Sequence, residues 1–469
     1  MKVLLINPNK WGRGITHLWI ASHAGLIKSL NSEVSLFDCT FYSDWSESET
    51  DFNTANGQYM PTDYNNQIKF EPNVIDALQS HIDSFRPNII FVSAISSHIH
   101  GEGEYINIEL ANHLLSLVNK NGSLVIAGGI QPTDNPQRCK SLYPNIDYFI
   151  SGDSEPVVKQ LLLEKGGVSF ALQKLAVKNT TTLEAPKKRF SLSELPAYDY
   201  SIFSDQTLLR PYNGNVLRAV DYEMSRGCPY SCAYCVETVI QKYYNFNERN
   251  KLGVIDNFHQ YLSLKSLGQI ITELTYFESK SIQLIRCQDT NFLSIPHTLL
   301  NKVADFIQDN GLKAKLYIET RPETISPTSI ELLKRLNVGG VGMGVETAAE
   351  SYKEDSLNRF ASIKKTIKAF SLLKEAGIKR SAYNILGLPG QTINDIKATI
   401  SLNKELDPDN ITASFYSPFR GTEAYKISNE YTPESQYSDS QLRSNTLSET
   451  LDIETLNYYK RNFATLVRE

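Results

Sequence analysis

The chain has 469 residues, of which 41% are hydrophobic and 21% charged, an ordinary globular composition for roughly two to four domains. Its 47 Lys and Arg and 52 Asp and Glu give a net charge of −5, which argues against a protein that mainly binds nucleic-acid backbones. No apolar run approaches the ~20 residues needed to span a bilayer, and the apolar stretch before Asn7 is too short for a secretory signal. We therefore expect a cytoplasmic protein without a membrane span.

The N-terminal third alternates short apolar runs with helical stretches. Strands are predicted at 2–6, 33–38, 88–95, 123–127 and 147–150, helices at 16–30, 73–85 and 104–119, and an irregular insertion at 40–70. This alternation predicts an α/β domain with a Rossmann-like, doubly wound parallel sheet. Ligands bind outside the carboxyl ends of the strands in such sheets, so the loops after Ile6, Ile95 and Ala127 are expected to line one edge.

Two of these strand ends resemble cobalamin-binding domains. Ser93-x-Ile95 follows one predicted strand, Gly128-Gly129 follows the next, and residues 144–156 resemble the end of that domain in radical enzymes that carry cobalamin. The resemblance implies that Ser93 and Ile95 lie near the nucleotide tail and that Gly128 and Gly129 let it approach the backbone. Periodicity alone leaves a doubly wound domain without a cofactor equally open.

The first strand-end loop departs from the common cobalamin pattern. Many such domains place Asp-x-His-x-x-Gly there, with the His ligating cobalt, whereas residues 7–12 read NPNKWG and put Asn9 at the His position. This resembles the radical-enzyme branch, in which that His is often absent, and it implies cobalamin contacts from Asn9, Trp11 and Gly12. Three histidines lie nearby in the sequence: His17, His98 and His100. A lone histidine is more often structural or solvent-facing than a metal ligand.

Residues 171–215 lack sustained apolar periodicity and are predicted to be a linker between two domains. They contain a Thr run at 180–182 and a basic patch at 187–189. The phrase SLSELPAYDY at 191–200 resembles the segment that leads into the second domain of the same enzymes.

Three of the six cysteines lie within eight residues of each other. Six cysteines are too few for a disulfide scaffold at this length. Cys228 and Cys232 are separated by three residues, and Cys232 and Cys235 by two, so three thiolates on one loop suit three corners of a [4Fe–4S] cluster. The alternative is a zinc site, but structural zinc usually takes four ligands in paired spacing, and no second pair is present.

The cysteine spacing, with Arg226-Gly227 before it and Tyr234 just before the last Cys, resembles the radical S-adenosylmethionine (SAM) superfamily. The resemblance implies that the open iron binds SAM and passes an electron into the sulfonium, which yields a 5′-deoxyadenosyl radical. Strand-like runs recur at 221–225, 281–287, 314–318, 338–345, 380–386 and 410–416. Six βα units predict a partial (β/α)6 barrel of the TIM type, with chemistry at the carboxyl ends of its strands.

The resemblance implies further SAM contacts from residues at the carboxyl ends of the barrel strands. Asp289 is implied as acceptor for the methionyl amine, and Glu346 as acceptor for ribose or amino groups. Arg321 follows the third strand, and Leu386 lies in a turn that resembles the one packed near adenine. The resemblance also implies a SAM contact for Tyr234. Residues 418–422 resemble the corresponding segment of the cobalamin-linked subgroup.

Residues 1–425 are thus identified as similar to the cobalamin-dependent radical SAM enzymes. The predicted organisation is a cobalamin-binding domain (1–170), a linker (171–215), a radical SAM domain (216–425) and a small helical C-terminal segment (426–469). That last segment, with a helix at 453–467, is expected to cap the barrel mouth or shape substrate access.

The family resemblance implies a class B methyltransferase that moves a methyl group from methylcobalamin to an unactivated carbon. Its cofactors would be a [4Fe–4S] cluster, SAM and cobalamin, with flavodoxin or ferredoxin as electron donor and a small molecule or peptide as substrate. A non-methylating cyclisation or rearrangement is the alternative. An RNA methylthiotransferase is disfavoured because Cys39 and Cys139 do not supply its second cysteine set, and a non-enzymatic corrinoid protein because the three-Cys motif is intact. Cys287 ends a predicted barrel strand and could face the active site.

Overall fold

The computed structural model describes residues 1–47, 62–94, 107–178, 180–212, 214–416, 419–429 and 450–469. Its first sheet has six parallel strands in the order β2-β1-β3-β4-β5-β6. The strands are β1 (Lys2–Asn7), β2 (Glu33–Asp38), β3 (Ile89–Ala94), β4 (Leu124–Gly129), β5 (Tyr148–Ser151) and β6 (Thr182–Glu184). The predicted doubly wound sheet is therefore confirmed.

Helices cover both faces of this sheet, which explains why its strands are nearly continuous apolar runs. Along β1, Val3 and Leu5 face one hydrophobic core, and Leu4 and Ile6 face another. The helices are Leu18–Ser29, Tyr64–Gln67, Val74–Phe85, Asn107–Ser116, Ile130–Asp134, Pro136–Leu142, Ser154–Leu163 and Val168–Leu175. The strand order reverses between β1 and β3, and the carboxyl edge at such a point is the usual ligand crevice.

The second sheet has seven strands in the order β15-β14-β13-β12-β11-β8-β7. The strands are β7 (Leu209–Tyr212), β8 (Asn215–Tyr222), β11 (Leu284–Cys287), β12 (Lys315–Thr320), β13 (Val338–Glu346), β14 (Lys379–Leu386) and β15 (Asn410–Phe415). Six of them, β8 to β15, are parallel and curl into the predicted half-barrel, while β7 pairs antiparallel with β8 at the edge. A small ribbon pairs β9 (Ser225–Arg226) with β10 (Ser263–Leu264).

Helices pack on the outer face of the half-barrel. Leu267–Ser279, for example, begins at Ser266 with reciprocal hydrogen bonds between Ser266 and Gln269, which satisfy otherwise unpaired N–H groups. The helices of this half are Glu237–Tyr243, Phe258–Tyr261, Leu267–Ser279, His297–Asp309, Pro327–Arg335, Glu350–Asp355, Ile363–Glu375, Ile393–Leu406, Glu423–Asn429 and Ile453–Arg468. In the part of the chain that the structure describes, none is long and apolar enough to cross a membrane.

The segment predicted as a linker contributes a strand to each sheet. β6 (Thr182–Glu184) joins the first sheet, β7 (Leu209–Tyr212) joins the second, and the helix Val168–Leu175 crosses the proposed boundary at residue 170. Strands of three or four residues are too short to show a period of two, which is why the sequence pattern does not reveal them. The domain limits themselves stay predictions.

The C-terminal helix lies on the outer face of the half-barrel, so the expectation that it caps the mouth is wrong for this helix. Leu456, Tyr459 and Phe463 pack against Ile411 and Phe415 of β15. This apolar stripe at spacings of three and four residues needs an apolar partner, and alternate residues of the last strand provide it. Residues 430–449 lie outside the described ranges.

The two halves of the chain share one hydrophobic core. The segment 191–203 lies between them, with the Asp199 amide donating to the Ala21 carbonyl of the first half and the Tyr198 amide donating to Glu273 of the second. A Cβ on Gly25 would lie 2.6 Å from the Ala197 carbonyl oxygen, so only glycine permits this close approach.

Candidate active site

The three clustered cysteines lie on one loop, residues 227–236, between β9 and the helix Glu237–Tyr243. Each is 8% exposed. Ser231 donates to the Gly253 carbonyl from both its amide and its hydroxyl, at 3.0 and 2.8 Å, and Asn358 donates to the Ser231 carbonyl at 2.7 Å. The loop is therefore held from two distant parts of the chain. We call residues 227–236 the cysteine loop.

The surroundings of these thiols fit a negatively charged group. Guanidinium Nη1 atoms of Arg321 and Arg359 lie 3.8 and 3.9 Å from the Cys232 Sγ. Burial, with smaller effects of neighbouring acidic groups, raises the pKa of the Cys228 and Cys235 thiols, so ligation must displace protons. Two adjacent guanidinium groups offset the charge of thiolates, which suits an iron–sulfur cluster bound by three cysteines.

A single zinc ion would need a more convergent arrangement. Within the described residues, no three His, Cys, Asp or Glu side chains converge to hold one metal ion. Thiolate ligands of zinc all lie ~2.3 Å from a common point, whereas the iron atoms of a [4Fe–4S] cluster each take their own cysteine.

Tyr234, Glu346 and Arg359 form one hydrogen-bonded group beside the cysteine loop. The Tyr234 hydroxyl donates to Glu346 Oε1 at 3.0 Å, and Arg359 donates to the Gly344 carbonyl at 2.6 Å and lies 3.7 Å from Glu346. Glu346 ends β13 with a φ of +62°. A left-handed backbone at a residue other than glycine is strained, and such strain is common where a side chain is aimed at a ligand.

Arg321 is part of the same neighbourhood. Its guanidinium stacks 3.7 Å from the centre of the Tyr230 ring and pairs with Glu323. Sequence reasoning predicted Tyr234, Arg321 and Glu346 but missed Arg359. The structure brings all four close to Cys232 or to one another, and their contacts with SAM stay predictions.

Leu386 does not point into this group. Its side chain is fully buried in the outer core with Ile396 and Phe463. Its neighbour Ile385 instead packs with Tyr234 and the apolar residues around the cysteine loop. Any ligand contact at Leu386 must therefore come from its backbone.

Asp289 contacts the segment that leads into the cysteine loop. Its Oδ1 accepts hydrogen bonds from the amides of Met224 and Ser225 and from the Ser225 hydroxyl, at 3.0, 2.6 and 2.7 Å. Burial raises the pKa of Asp289 to about 7, despite these bonds. Its Oδ2 is buried and accepts no hydrogen bond from a described residue, so it is the atom left for the predicted amine contact.

The carboxyl edge of the first sheet gathers the residues predicted to contact cobalamin. Asn9 is buried and shapes the loop after β1, since its amide donates to Thr40 and to the Arg13 carbonyl and its Oδ1 accepts from the Trp11 amide. The Gly12 amide donates to the Glu47 carbonyl at 2.8 Å.

Two further strand ends lie at the same edge. Ser93 and Gly128 are paired in register at the ends of β3 and β4, and Gly129 has a φ of +133° that favours glycine. Ile95, His98 and His100 lie outside the described residues. His17 is buried at the start of the helix Leu18–Ser29. The cobalamin contacts stay predictions.

Both sheets present their carboxyl edges to a buried group of charges, which we call the seam and define as Asp153, Glu155, Glu223 and Arg226. Arg226 belongs to β9, two residues before Cys228. Its guanidinium lies 2.8 Å from Glu155, 2.8 Å from Glu223 and 3.4 Å from Asp153. Since Asp153 and Glu155 follow β5 of the first sheet, the seam ties the cysteine loop directly to the edge predicted for cobalamin.

The remaining cysteines face hydrophobic cores. Cys39 and Cys139 are buried in the first half, and Cys287 is buried on the outer face of the half-barrel with Ile285. The possibility that Cys287 faces the barrel interior is therefore not realised.

Comparison with known proteins identifies a matching family profile and several similar proteins. Residues 222–402 match the sequence profile of the Radical SAM superfamily. The anaerobic magnesium-protoporphyrin IX monomethyl ester cyclase of Rubrivivax gelatinosus is 23% identical over 438 residues, which cover 89% of this chain and 68% of the relative. The chain spans only 55% of the corresponding cyclase of Cereibacter sphaeroides, with 24% identity over 75% of this chain.

Two methyltransferases are also similar. An uncharacterized methyltransferase of Pyrococcus horikoshii is 23% identical over 350 residues, which cover 74% of this chain and 70% of the relative. The solved structure of the radical SAM methyltransferase TsrM from Kitasatospora setae, with cobalamin and a [4Fe–4S] cluster bound, has a TM-score of 0.64 at 15% identity. It covers 92% of this chain and 78% of that chain. At this identity, the likeness shows a shared fold.

Proposed function

We propose that this chain, which belongs to the radical SAM enzymes, is a cobalamin-dependent methyltransferase that acts on an unactivated carbon. One observation carries the proposal. The seam joins the loop of Cys228, Cys232 and Cys235 to the carboxyl edge of the doubly wound sheet through Arg226. A cluster on that loop and a corrinoid at that edge would both face the space between the two sheets.

When bound, the cluster and SAM would supply radical chemistry at the cysteine loop, and cobalamin would supply a methyl group. The protein's own residues hold and position these groups. Arg321 and Arg359 stabilise negative charge at Cys232, and Tyr234 and Glu346 offer a hydroxyl and a carboxylate beside it. Correct placement of reacting groups is itself a large part of such catalysis.

The residues of the first sheet edge fit a ligand that lies against the backbone. Gly128 and Gly129 carry no side chains at the end of β4, and the φ of +133° at Gly129 favours glycine. Asn9 uses its amide and its carbonyl oxygen inside its own loop. We therefore infer that Asn9 maintains the conformation of the loop after β1. We propose no cobalt ligand at this position.

Cyclisation without methyl transfer is the second candidate. It is supported by the similarity to the Rubrivivax cyclase, which extends over 89% of this chain. The residues at the cysteine loop would serve either reaction, because both would use radical chemistry at the same cluster.

The cofactors are tested by anaerobic reconstitution followed by iron, sulfide and cobalt analysis. The triple variant Cys228→Ala, Cys232→Ala, Cys235→Ala should lose the cluster and all 5′-deoxyadenosine formation from SAM. Cys287→Ala is the matched control, since this buried cysteine faces the outer core, and it should keep both. Unchanged iron content in the triple variant would contradict the assignment.

The reaction class is tested with the substrate in hand. Methyl transfer predicts a product heavier by one methylene unit, together with both S-adenosylhomocysteine and 5′-deoxyadenosine. A product formed with 5′-deoxyadenosine and without S-adenosylhomocysteine would support the cyclisation instead.

A further inference from the structure

Arg286 is a cation on the inner face of the half-barrel. It lies on β11 between Ile285 and Cys287, which both face the outer core, so the alternation of a strand turns Arg286 to the opposite face. Leu284, on the same face one step earlier, packs with Ala219 and Tyr317 in an apolar layer. Arg286 thus lies next to this layer, on the side of the cysteine loop, and 23% of its side chain remains accessible.

The guanidinium of Arg286 has no hydrogen-bond acceptor among the described residues. Its one ion pair is with Asp221, at 3.8 Å. That carboxylate already accepts two bonds from Arg210, at 2.6 and 2.9 Å, and one from Gln288 at 2.6 Å. The oxygens of Asp221 are therefore already occupied by Arg210 and Gln288. Asp221 and Glu319 act on the charge of Arg286, but its N–H donors have no acceptor among the described residues.

Such an arrangement is costly unless a ligand or water completes it. A guanidinium carries five N–H donors in a planar fork, and a partly buried donor without an acceptor loses free energy relative to water. A carboxylate matches that fork with two parallel hydrogen bonds. We propose that Arg286 binds a carboxylate group of the substrate inside the half-barrel, which gives the proposed methyltransferase a carboxylic acid as its substrate class.

The neighbours of Arg286 favour a single negative charge. Glu319 and Asp221 both act electrostatically on Arg286, so a dianionic phosphate would meet two acidic groups. The other neighbours form an aromatic wall, since the hydroxyls of Tyr317 and Tyr383 lie 2.6 Å apart and Tyr383 donates to Glu319 at 3.1 Å. A monocarboxylate with an apolar or aromatic body fits these surroundings best.

Glycine residues on the neighbouring strand make room for the rings of that wall. Gly340 and Gly342 of β13 are in register with Tyr317 and Glu319 of β12. A Cβ on Gly340 would lie 2.8 Å from the Tyr317 ring, and a Cβ on Gly342 would lie 2.8 Å from Cε2 of Tyr383. The tyrosine rings therefore occupy the space above the glycines, a close approach that a larger residue would block.

The inference rests on the proposed function for the identity of the site, and it is tested by binding to the full chain. The probe is 3-phenylpropionate, with 3-phenylpropanamide as the neutral control, measured by calorimetry. We expect the acid to bind at least about tenfold tighter than the amide, because hydrogen bonds to charged groups are the stronger ones. In Arg286→Gln this ratio should fall to about one, and Arg286→Lys should keep part of it.

Arg218→Gln is the matched control, because Arg218 lies on neighbouring β8 and pairs outside the barrel interior with Asp205. It should keep the wild-type ratio. Equal affinity for acid and amide in the wild type, no saturable binding of the acid, or an unchanged ratio in Arg286→Gln with native melting behaviour would each overturn the proposal. If the wild type cleaves SAM but does not prefer the acid, this inference alone fails. If it prefers the acid but assembles no cluster, the proposed function fails and the Arg286 site stands.

Discussion

Replacement of Arg226 by methionine should destabilise the protein strongly. Arg226 is buried, and its guanidinium is shared by Glu155, Glu223 and Asp153. Burial alone would raise the pKa of Glu155, but Arg226 and His23 hold it at about 2. Asp153 keeps a second partner in Arg189 at 3.1 Å, whereas Glu155 and Glu223 lose their guanidinium partner in the variant.

The magnitude follows from the two carboxylates left without that partner. Breaking a buried ion pair by removing one side costs about 3–5 kcal/mol, mostly because the remaining charge stays buried. Arg226→Lys should cost less, since it keeps the charge but loses the fork geometry. Lys374→Gln is the control, because the Lys374–Asp407 pair is 60% and 65% exposed and such pairs contribute at most about 1 kcal/mol.

The deficit should also depend on pH. A carboxylate with a lowered pKa stabilises the folded state above its unfolded pKa, and that contribution is lost as the pH falls toward the folded value. Since Glu155 has a folded pKa of about 2, the wild type keeps most of this contribution at mildly acidic pH. In the variant Glu155 takes up a proton instead, so the difference should shrink as the pH falls from about 7 to about 4.

The assay is urea denaturation followed by circular dichroism, with the midpoints compared at each pH, together with the iron content after reconstitution. Because Arg226 lies two residues before Cys228 and ties its loop to the first sheet, we expect the iron content to fall as well. A variant within 1 kcal/mol of the wild type at neutral pH, with normal iron content, would refute the reasoning.

Three further changes test single sites. The pKa of Asp289 is raised to about 7, so the wild type should lose stability as the pH rises from about 4 to about 7. The variant Asp289→Asn cannot ionise and should not show this loss. Denaturation midpoints that change in parallel for the two proteins across this range would contradict the prediction. Gly342→Ala places a Cβ 2.8 Å from Cε2 of Tyr383 and should cost about 1–3 kcal/mol by overpacking; its control is Gly268→Ala, at a helical position with nothing within 4 Å, which should be neutral or stabilising. Glu346→Gln removes a charge beside the cysteine loop and should weaken SAM binding about tenfold at unchanged iron content, as measured by calorimetry; unaltered affinity would place SAM elsewhere.

The fold could be predicted largely because its signals are local. Alternating strands and helices specify parallel sheets, and the β1 run is apolar throughout because both of its faces are covered. The short strands β6 and β7 escaped prediction because they are defined by pairing with distant strands. The position of the C-terminal helix likewise depends on the apolar face of β15, which no pattern within the helix itself reveals.

The residues of the candidate site likewise differ in whether a local sequence pattern reveals them. Cys228, Cys232 and Cys235 could be found because they are close in sequence, whereas Arg359 reaches Cys232 from 127 residues away. Arg286 carries a local signal in the sequence. The run Ile285-Arg286-Cys287-Gln288 alternates apolar and polar residues, which is typical of a strand with one face turned away from the core.

Buried polar contacts, rather than apolar packing alone, determine how the two sheets meet. Asp221 of the half-barrel accepts a hydrogen bond from the Thr16 hydroxyl of the first half and donates to that hydroxyl from its amide, at 3.4 and 2.7 Å. Arg210 joins Asp221 to the Gly14 carbonyl at 3.1 Å. Buried charges must keep their partners, because a buried charge that loses its partner is strongly destabilising. Two such junctions, at Asp221 and at the seam, fix the loop after β1 and the cysteine loop relative to each other, which is the placement that the proposed function requires.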